Sequence, residues 1–272
     1  MVGYMIRNII FDIGNVLADF GWRDFFGKFG YEGETLERLA AATVKSAVWD
    51  EVDRGVWSEE ELVEGFIRND PGLEPEIRRI FENVRGMVSK REYAIPWIKE
   101  LRKAGYRCYY LSNFSSKAHR DCIDALGFLE YMDGGILSYR DKLIKPQREI
   151  YQLLLERYGL KAEESVFLDD TEKNLSGAEK LGIRTILFRS REQAVEELLE
   201  IQYLDKQAEL TNLQEELEEC HVPGEEELEY ERQMKEFELA GKTLEQLSQE
   251  AYQDTREQME QAKNEFIWIS QD

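Results

Sequence analysis

The sequence has two histidines, three cysteines and five prolines in 272 residues, and its 56 acidic residues outnumber its 35 basic ones. His119 and His221 both lie outside any motif, which leaves histidine-based metal or triad chemistry without support; His119 is expected at the surface. Cys108, Cys122 and Cys220 form no CxxC or metal spacing, and their odd number suits a reducing compartment with inert thiols. A formal net charge of −21 argues against a nucleic-acid partner, which needs a basic face to displace counterions, and against an anionic membrane surface. No run approaches the roughly 20 apolar residues of a spanning helix. The opening MVGYMIRNIIFDIGNVLADF carries Arg7 and Asp12 inside its apolar run and lacks a small-residue cleavage site, so it is expected to be a buried strand and not a signal peptide. A cytoplasmic protein with a proper core is expected, since apolar residues make up 42% and aromatics 11%.

The charge is uneven. Residues 1–200 carry −7 and residues 201–272 carry −14, and glycine falls from 17 to two across the same point, which sets a boundary near residue 205. Before it, short apolar runs alternate with helix-length segments. Asn8–Asp12, Tyr106–Leu111, Gly135–Ser138, Ser165–Leu168 and Arg184–Phe188 read as strands. Residues 93–104, 116–126, Gln147–Tyr158 and Lys173–Leu181 read as helices, most of them stopped by a following glycine. That alternation predicts an α/β, Rossmann-like parallel sheet with helices on both faces, residues 1–16 and 91–204. Residues 17–90 break the pattern. They offer helical segments at Glu32–Ala47, Ser58–Asn69 (opened by a Ser58–Glu61 capping box) and Glu74–Val88, with no convincing strand. This is an expected all-helical cap inserted behind the first strand.

Four pieces fall at the carboxyl ends of strands or in the loops after them, the edge where open α/β sheets bind ligands. They are Phe11-Asp12-Ile13-Gly14-Asn15-Val16, Leu111-Ser112-Asn113, Ile144-Lys145-Pro146 and Leu168-Asp169-Asp170-Thr171-Glu172-Lys173-Asn174. Carboxylates converging on one edge repel unless a cation neutralises them, and an oxygen-rich set without His or Cys suits Mg²⁺. Ser112 and Asn113 offer a hydroxyl, an amide and backbone N–H groups to phosphate oxygens, and Lys145 a compact positive charge. An aspartate can take up a phosphoryl group and so divide a difficult hydrolysis into two steps. Each piece has an ordinary reading too: Asp12 as a turn former at a strand end, Asp169-Asp170 as a helix cap, Lys145 as a surface lysine, Ser112 as a cap. Trp22, Phe25 and Phe26 read as cap–core packing, and Trp49, Trp57 and Phe66 more firmly as core.

Together the motifs FDIGNVL, LSN, IKP and FLDDTEKN, in that order from Ile9 to Phe188, resemble the haloacid dehalogenase superfamily, in particular its phosphatases with a small helical cap; the pattern is similar to the alpha-D-glucose-1-phosphate phosphatase branch. The resemblance implies a Mg²⁺-dependent phosphatase acting on a small phosphate monoester, a sugar phosphate first. It implies Asp12 as nucleophile, Lys145 as the motif-three lysine and Ser112 with Asn113 as phosphate ligands. It implies Asp12, the Gly14 carbonyl, Asp170 and Asn174 as metal ligands, with Asp169 behind them. Gly14 departs from the usual pattern, which has a second aspartate there as general acid and base, help worth roughly 10²–10⁴-fold. A 2-haloacid dehalogenase-type hydrolase, which lacks that aspartate and needs no metal, and a non-catalytic binding protein are the alternatives.

Residues 205–272 are expected to form an acidic helical extension. Near-heptad apolar spacing over 192–219, a Pro223-Gly224 break and a second helical stretch over 225–265 predict a helical hairpin, ending in the apolar Phe266–Ile269. Self-association or a protein partner is the expected use.

Overall fold

The computed structural model describes residues 5–219. The second predicted tail helix, the Pro223-Gly224 break, Cys220, His221 and Phe266–Ile269 lie outside the described residues. The compact unit Arg7–Ala194 holds the elements as follows: β1 Asn8–Phe11, β2 Ala18–Phe20, α1 Trp22–Gly27, α2 Gly33–Ala42, α3 Val48–Arg54, α4 Glu59–Asn69, α5 Glu74–Glu82, β3 Val88–Lys90, α6 Ala94–Lys103, β4 Arg107–Ser112, α7 Ser116–Asp121, β5 Gly134–Leu137, α8 Ser138–Asp141, α9 Arg148–Tyr158, β6 Ser165–Asp169, α10 Glu172–Glu179 and β7 Arg184–Leu187. A last helix, α11, runs from Arg191 to Glu219 without a break at the compositional boundary near 205.

Five strands form one parallel sheet in the order β5-β4-β1-β6-β7, the expected α/β architecture. The central strands are apolar because both faces are covered: β1 is buried at all four positions and β6 at all five. On one face Ile10, Leu111, Ile136 and Phe167 pack with Ile150, Tyr151 and Leu154 of α9. On the other, Phe11 meets Trp97 of α6 edge-on at 5.0 Å. The strand order places the ends of β1, β4 and β6 side by side, so three of the four motifs become neighbours.

The insertion folds around its own core of Phe25, Phe26, Leu39, Phe66, Ile77 and Ile80, and the Ser58–Glu61 capping box opens α4 as expected. Four local expectations need correction. The helix expected over Glu32–Ala47 stops at Ala42, where the Thr43 hydroxyl turns back to the Leu39 carbonyl at 2.6 Å, and α3 starts separately at Val48. The helix expected through Val88 stops at Glu82. The helix expected over 116–126 is α7 followed by a 3₁₀ segment, Ile123–Tyr131. The insertion also has strands: β2 and β3, its two connections to the core, pair antiparallel through Ala18↔Lys90, Asp19↔Ser89 and Phe20↔Val88. Three residues are too few to display a period of two, so sequence pattern missed them.

Helix α10 lies unusually close to α9. A Cβ on Gly177 would stand 2.8 Å from the Tyr151 ring and 3.0 Å from the Pro146 carbonyl oxygen. Alanine in a helix is ordinarily favoured over glycine by up to about 1 kcal/mol. Here the contact outweighs that gain, and Gly177→Ala is expected to lower stability by about 1–3 kcal/mol in urea unfolding. Unchanged or raised stability would mean that the two helices are free to part.

Candidate active site

The chain runs straight from β1 into Asp12, whose backbone N–H donates to the Leu168 carbonyl at 2.8 Å and so ties the end of β1 to the end of β6. Asp12 is 7% exposed. Between it and Asp169 sits the Lys145 ammonium, donating to Asp12 Oδ1 at 2.7 Å and to Asp169 Oδ2 at 2.6 Å, with its side chain 1% exposed. Lys145 Nζ also lies 5.3 Å from the centre of the Phe167 ring. Burial alone pulls the ammonium's pKa down, but Asp12 and then Asp169 outweigh it, and the net shift is upward. The cation is therefore permanent. Burial is the main force on Asp12 too, pushing its carboxyl up to about 6; Lys145 opposes that shift, Asp169 adds to it, and a hydrogen bond from Ser112 lowers it. At neutral pH Asp12 remains mostly an anion.

The other motif residues converge on this pair in ways the sequence did not specify. The Asn113 side chain clamps the Lys145 backbone, accepting from its N–H at 2.7 Å and donating to its carbonyl at 3.1 Å. Its amide thus spends its oxygen and one N–H on Lys145, leaving the second amide N–H free of that clamp. Asn174 donates from Nδ2 to both oxygens of Asp169 at 3.1 Å, and the Thr171 N–H donates to Asp169 Oδ1 at 2.8 Å. Asp169 is fully buried and bonded to Lys145, Thr171 and Asn174. Asp170 is exposed and accepts from Asn15 Nδ2 at 2.9 Å and from the Thr171 hydroxyl at 3.2 Å.

Asn15 was missed in the sequence reading. It adopts a positive φ of 56°, and its Oδ1 accepts from the Phe20 N–H at 3.3 Å while its amide holds Asp170. The cue was present: asparagine is the residue that most readily takes a left-handed turn while bonding locally.

Oxygen atoms of Asp12, Asp169 and Asp170 lie within 4.8 Å of one another. Asp12 and Asp170, with Gly14 and Asn174 lining the same cavity and Asp169 buried behind them, make an oxygen-rich set that fits a hard divalent cation such as Mg²⁺. Gly14 carries no side chain to replace the usual acid, and a Cβ there would touch only Asp12 Oδ2, at 3.7 Å.

Asp12, Gly14, Lys145, Asp170 and Asn174 form the floor of a cavity of about 570 Å³, roofed by the insertion, with Asp169 buried behind them. Trp49, Trp57 and Phe66, expected as core, line it; Phe66 is at the same time buried in the cap core and Trp49 packs against that core, while Phe25 and Phe26 pack in it as expected without lining the cavity. His119 is half-buried, with Nδ1 3.2 Å from the Tyr139 hydroxyl, so it is not the surface residue expected. Cys108 and Cys122 are buried, and burial pushes the Cys108 thiol up to about 12, in keeping with an inert thiol. Among the described residues no helix is long and apolar enough to cross a membrane.

One acid in the cavity had no motif to announce it. Asp53 of α3 lines the wall, its backbone carbonyl accepting from Ser138 Oγ at 2.6 Å. Burial is the main cause that pushes its carboxyl up to about 8; Asp50 and Asp12 add to the shift and Lys145 opposes it. From pH 4 to pH 8 the folded protein therefore holds a proton that the unfolded chain has lost, and stability falls as pH rises through that window. Asp53→Asn removes this dependence. Its thermal midpoint is expected to match the parent's near pH 4 and exceed it increasingly up to pH 8, each kcal/mol reading as about 2–4 °C. A difference independent of pH would show that the carboxyl is ionised throughout.

Residues 6–182 match the family model of haloacid dehalogenase-like hydrolases. Among curated relatives, drimenol cyclase drtB of Aspergillus calidoustus is 24% identical over 200 residues, covering 72% of this chain and 37% of that protein. The sesquiterpene phosphatase astK of Aspergillus oryzae is 23% identical over 176 residues, covering 64% and 85%. A glyceraldehyde 3-phosphate phosphatase of Methanocaldococcus jannaschii is 28% identical over 108 residues, covering 39% and 47%. The chain thus spans well under two thirds of the length of several relatives that it matches. Among solved structures, a HAD family enzyme of Bacteroides thetaiotaomicron in complex with magnesium and inorganic phosphate superposes with a TM-score of 0.52 at 22% identity, over 68% of this chain and 96% of that one.

Proposed function

Since the chain belongs to the haloacid dehalogenase-like hydrolases, we propose that it is a Mg²⁺-dependent phosphomonoesterase that hydrolyses a small phosphate ester through a phosphoryl group carried on Asp12. The observation that carries this reading is the buried Lys145 bridge between Asp12 and Asp169, which keeps one carboxylate anionic, oriented and facing a cavity. A surface acid at a strand end needs no such arrangement.

Asp12 attacks phosphorus with one carboxylate oxygen, the ester oxygen departs with the bonding pair, and water then attacks the phosphoryl group to release phosphate and restore the carboxylate. Lys145, with the Ser112 hydroxyl and the Asn113 N–H, stabilises the charge on the phosphoryl oxygens. Asp12, the Gly14 carbonyl, Asp170 and Asn174 would hold Mg²⁺. When bound, the ion supplies positive charge to the phosphoryl oxygens and relieves the repulsion among the acids. Asn15 holds Asp170 in place for that task.

Asp12→Asn is expected to drop phosphate release below about 0.1% of the parent rate, and EDTA to do the same until Mg²⁺ is restored. Turnover that survives EDTA would favour the metal-free dehalogenase chemistry instead. Phosphate release by Asp12→Asn at the parent rate would remove the nucleophile assignment.

Gly14 leaves the departing oxygen without the usual proton donor. Rates are therefore expected to fall steeply as leaving-group pKa rises through a series of aryl and alkyl phosphates. A flat dependence would mean that the proton comes from elsewhere.

The resemblance alone favours a sugar as the leaving group. The relatives divide: one acts on a sesquiterpene phosphate by its name and another on glyceraldehyde 3-phosphate. Choosing between an apolar and a polar leaving group falls to the cavity wall.

A further inference from the structure

We infer that the cavity over Asp12 is built to hold a hydrocarbon, so that the substrate is the monophosphate of an apolar alcohol; this rests on the phosphomonoesterase reading. The cavity has two chemically distinct ends. Its floor is the polar set around Asp12 and Lys145, and the wall that rises from it is formed largely by Phe20, Trp49, Trp57, Phe66, Phe81 and Met87. Those side chains come from β2, α3, α4, α5 and the loops beside them, so several separate segments of the insertion turn apolar groups towards one space. They are organised as a panel. Trp49 stands 5.7 Å from Phe20, 6.1 Å from Phe66 and 6.3 Å from Phe81, and Phe66 stands 4.8 Å from Phe81.

Phe66 and Met87 also belong to the buried cap core, and Phe20, Trp49 and Phe81 pack against it, so these side chains close the cap and line the cavity at once, whereas Phe25, Phe26, Leu39, Ile77 and Ile80 close the core without lining the cavity. Phe20, Trp49, Trp57 and Phe81 remain only half-buried. A space of about 570 Å³ accommodates a group the size of a drug molecule.

A sugar would bring a hydroxyl on nearly every carbon, and each hydroxyl taken from water without a partner is costly. The insertion's share of the lining offers three polar side chains: Glu59, paired with Lys117 at 3.1 Å, Asp50, which is exposed, and Asp53, whose burial favours its neutral form; the other polar groups, Ser115, Ser116 and Lys173 among them, come from the core. A hydrocarbon asks for no partners and gains from every ring it covers.

The experiment is a series of primary alkyl phosphates from propyl to decyl, compared with glucose 6-phosphate. All have primary ester oxygens of similar basicity, so chain length and polarity vary while leaving-group chemistry stays nearly constant. On the full chain with Mg²⁺, kcat/KM is expected to rise about threefold to fourfold per methylene until the cavity is filled, and octyl phosphate to exceed glucose 6-phosphate by at least 100-fold. The matching alkylphosphonates, which cannot be hydrolysed, are titrated calorimetrically against the same protein and are expected to tighten with the same slope. Turnover with no dependence on length, or with glucose 6-phosphate preferred, would overturn the apolar assignment and leave the phosphatase standing. Phosphonates that tighten with length while no ester is hydrolysed would uphold the apolar cavity and overturn the phosphatase.

Discussion

A lysine ammonium buried between two carboxylates is the interaction on which the rest of the site depends. Lys145 is almost wholly withdrawn from water, and burying such a charge is tolerable only because Asp12 and Asp169 both receive its hydrogen bonds. Each partner is held in turn: Asp169 by Asn174 and the Thr171 N–H, Lys145 through its backbone by Asn113, and Asp12 through its N–H to Leu168. Taking one member away leaves an uncompensated buried charge, a loss of about 3–5 kcal/mol in comparable pairs. Asp12 is thus positioned by the same contacts that keep the strand ends together.

Those contacts require the sheet to be parallel with β1 at its centre. Only then do the ends of β1, β4 and β6 open on one edge and the loop bearing Lys145 reach across them. The insertion leaves directly after the Asp12 loop and returns through β3, and the β2–β3 pair forces its two connections to lie side by side. It is also fastened to the core at α3. Ser138 Oγ donates to the Asp53 carbonyl, Lys142 Nζ donates to the Gly55 carbonyl, and Gly55 at φ 66° lies so near Tyr139 that a Cβ would come within 2.8 Å of that residue's Cβ. A side chain at Gly55 would push the cap away from the floor.

Strands and motif order were legible in the sequence because both are written locally. Ser165–Asp169 is an unbroken apolar run closing on an acid, and Gln147–Tyr158 has helical periodicity ending in glycine. What escaped depends on partners remote in sequence. Asn113 is expected as a phosphate ligand, and what no local pattern shows is that its side chain also holds Lys145, 32 residues away. Asn15 looked like part of a loop, yet it holds Asp170, 155 residues away. Trp49 and Trp57 are apolar residues in an apolar-periodic segment, and no local pattern distinguishes a ring that closes a core from one that lines a cavity. Asp53 is one acid among many in an acidic chain; only the packing of α3 against the floor sets it apart.

The charge of the floor itself sets a further condition on any phosphate chemistry. Asp12, Asp169 and Asp170 stand together around the buried ammonium of Lys145, with Lys117 and Lys173 elsewhere on the cavity lining, and oxygens of all three acids lie within 4.8 Å of one another. A phosphate monoester dianion entering that space adds two more negative charges at short range. At an effective dielectric of about 20, like charges 4 Å apart repel by about 4 kcal/mol. Lys145 is already shared between two carboxylates and cannot offset this alone. A divalent cation held by Asp170, the one exposed member of the group, would offset that repulsion. Burial of Lys145 with its two acids and exposure of Asp170 therefore divide the labour: the first holds Asp12 in one place, and the second leaves Asp170 open to a compensating cation.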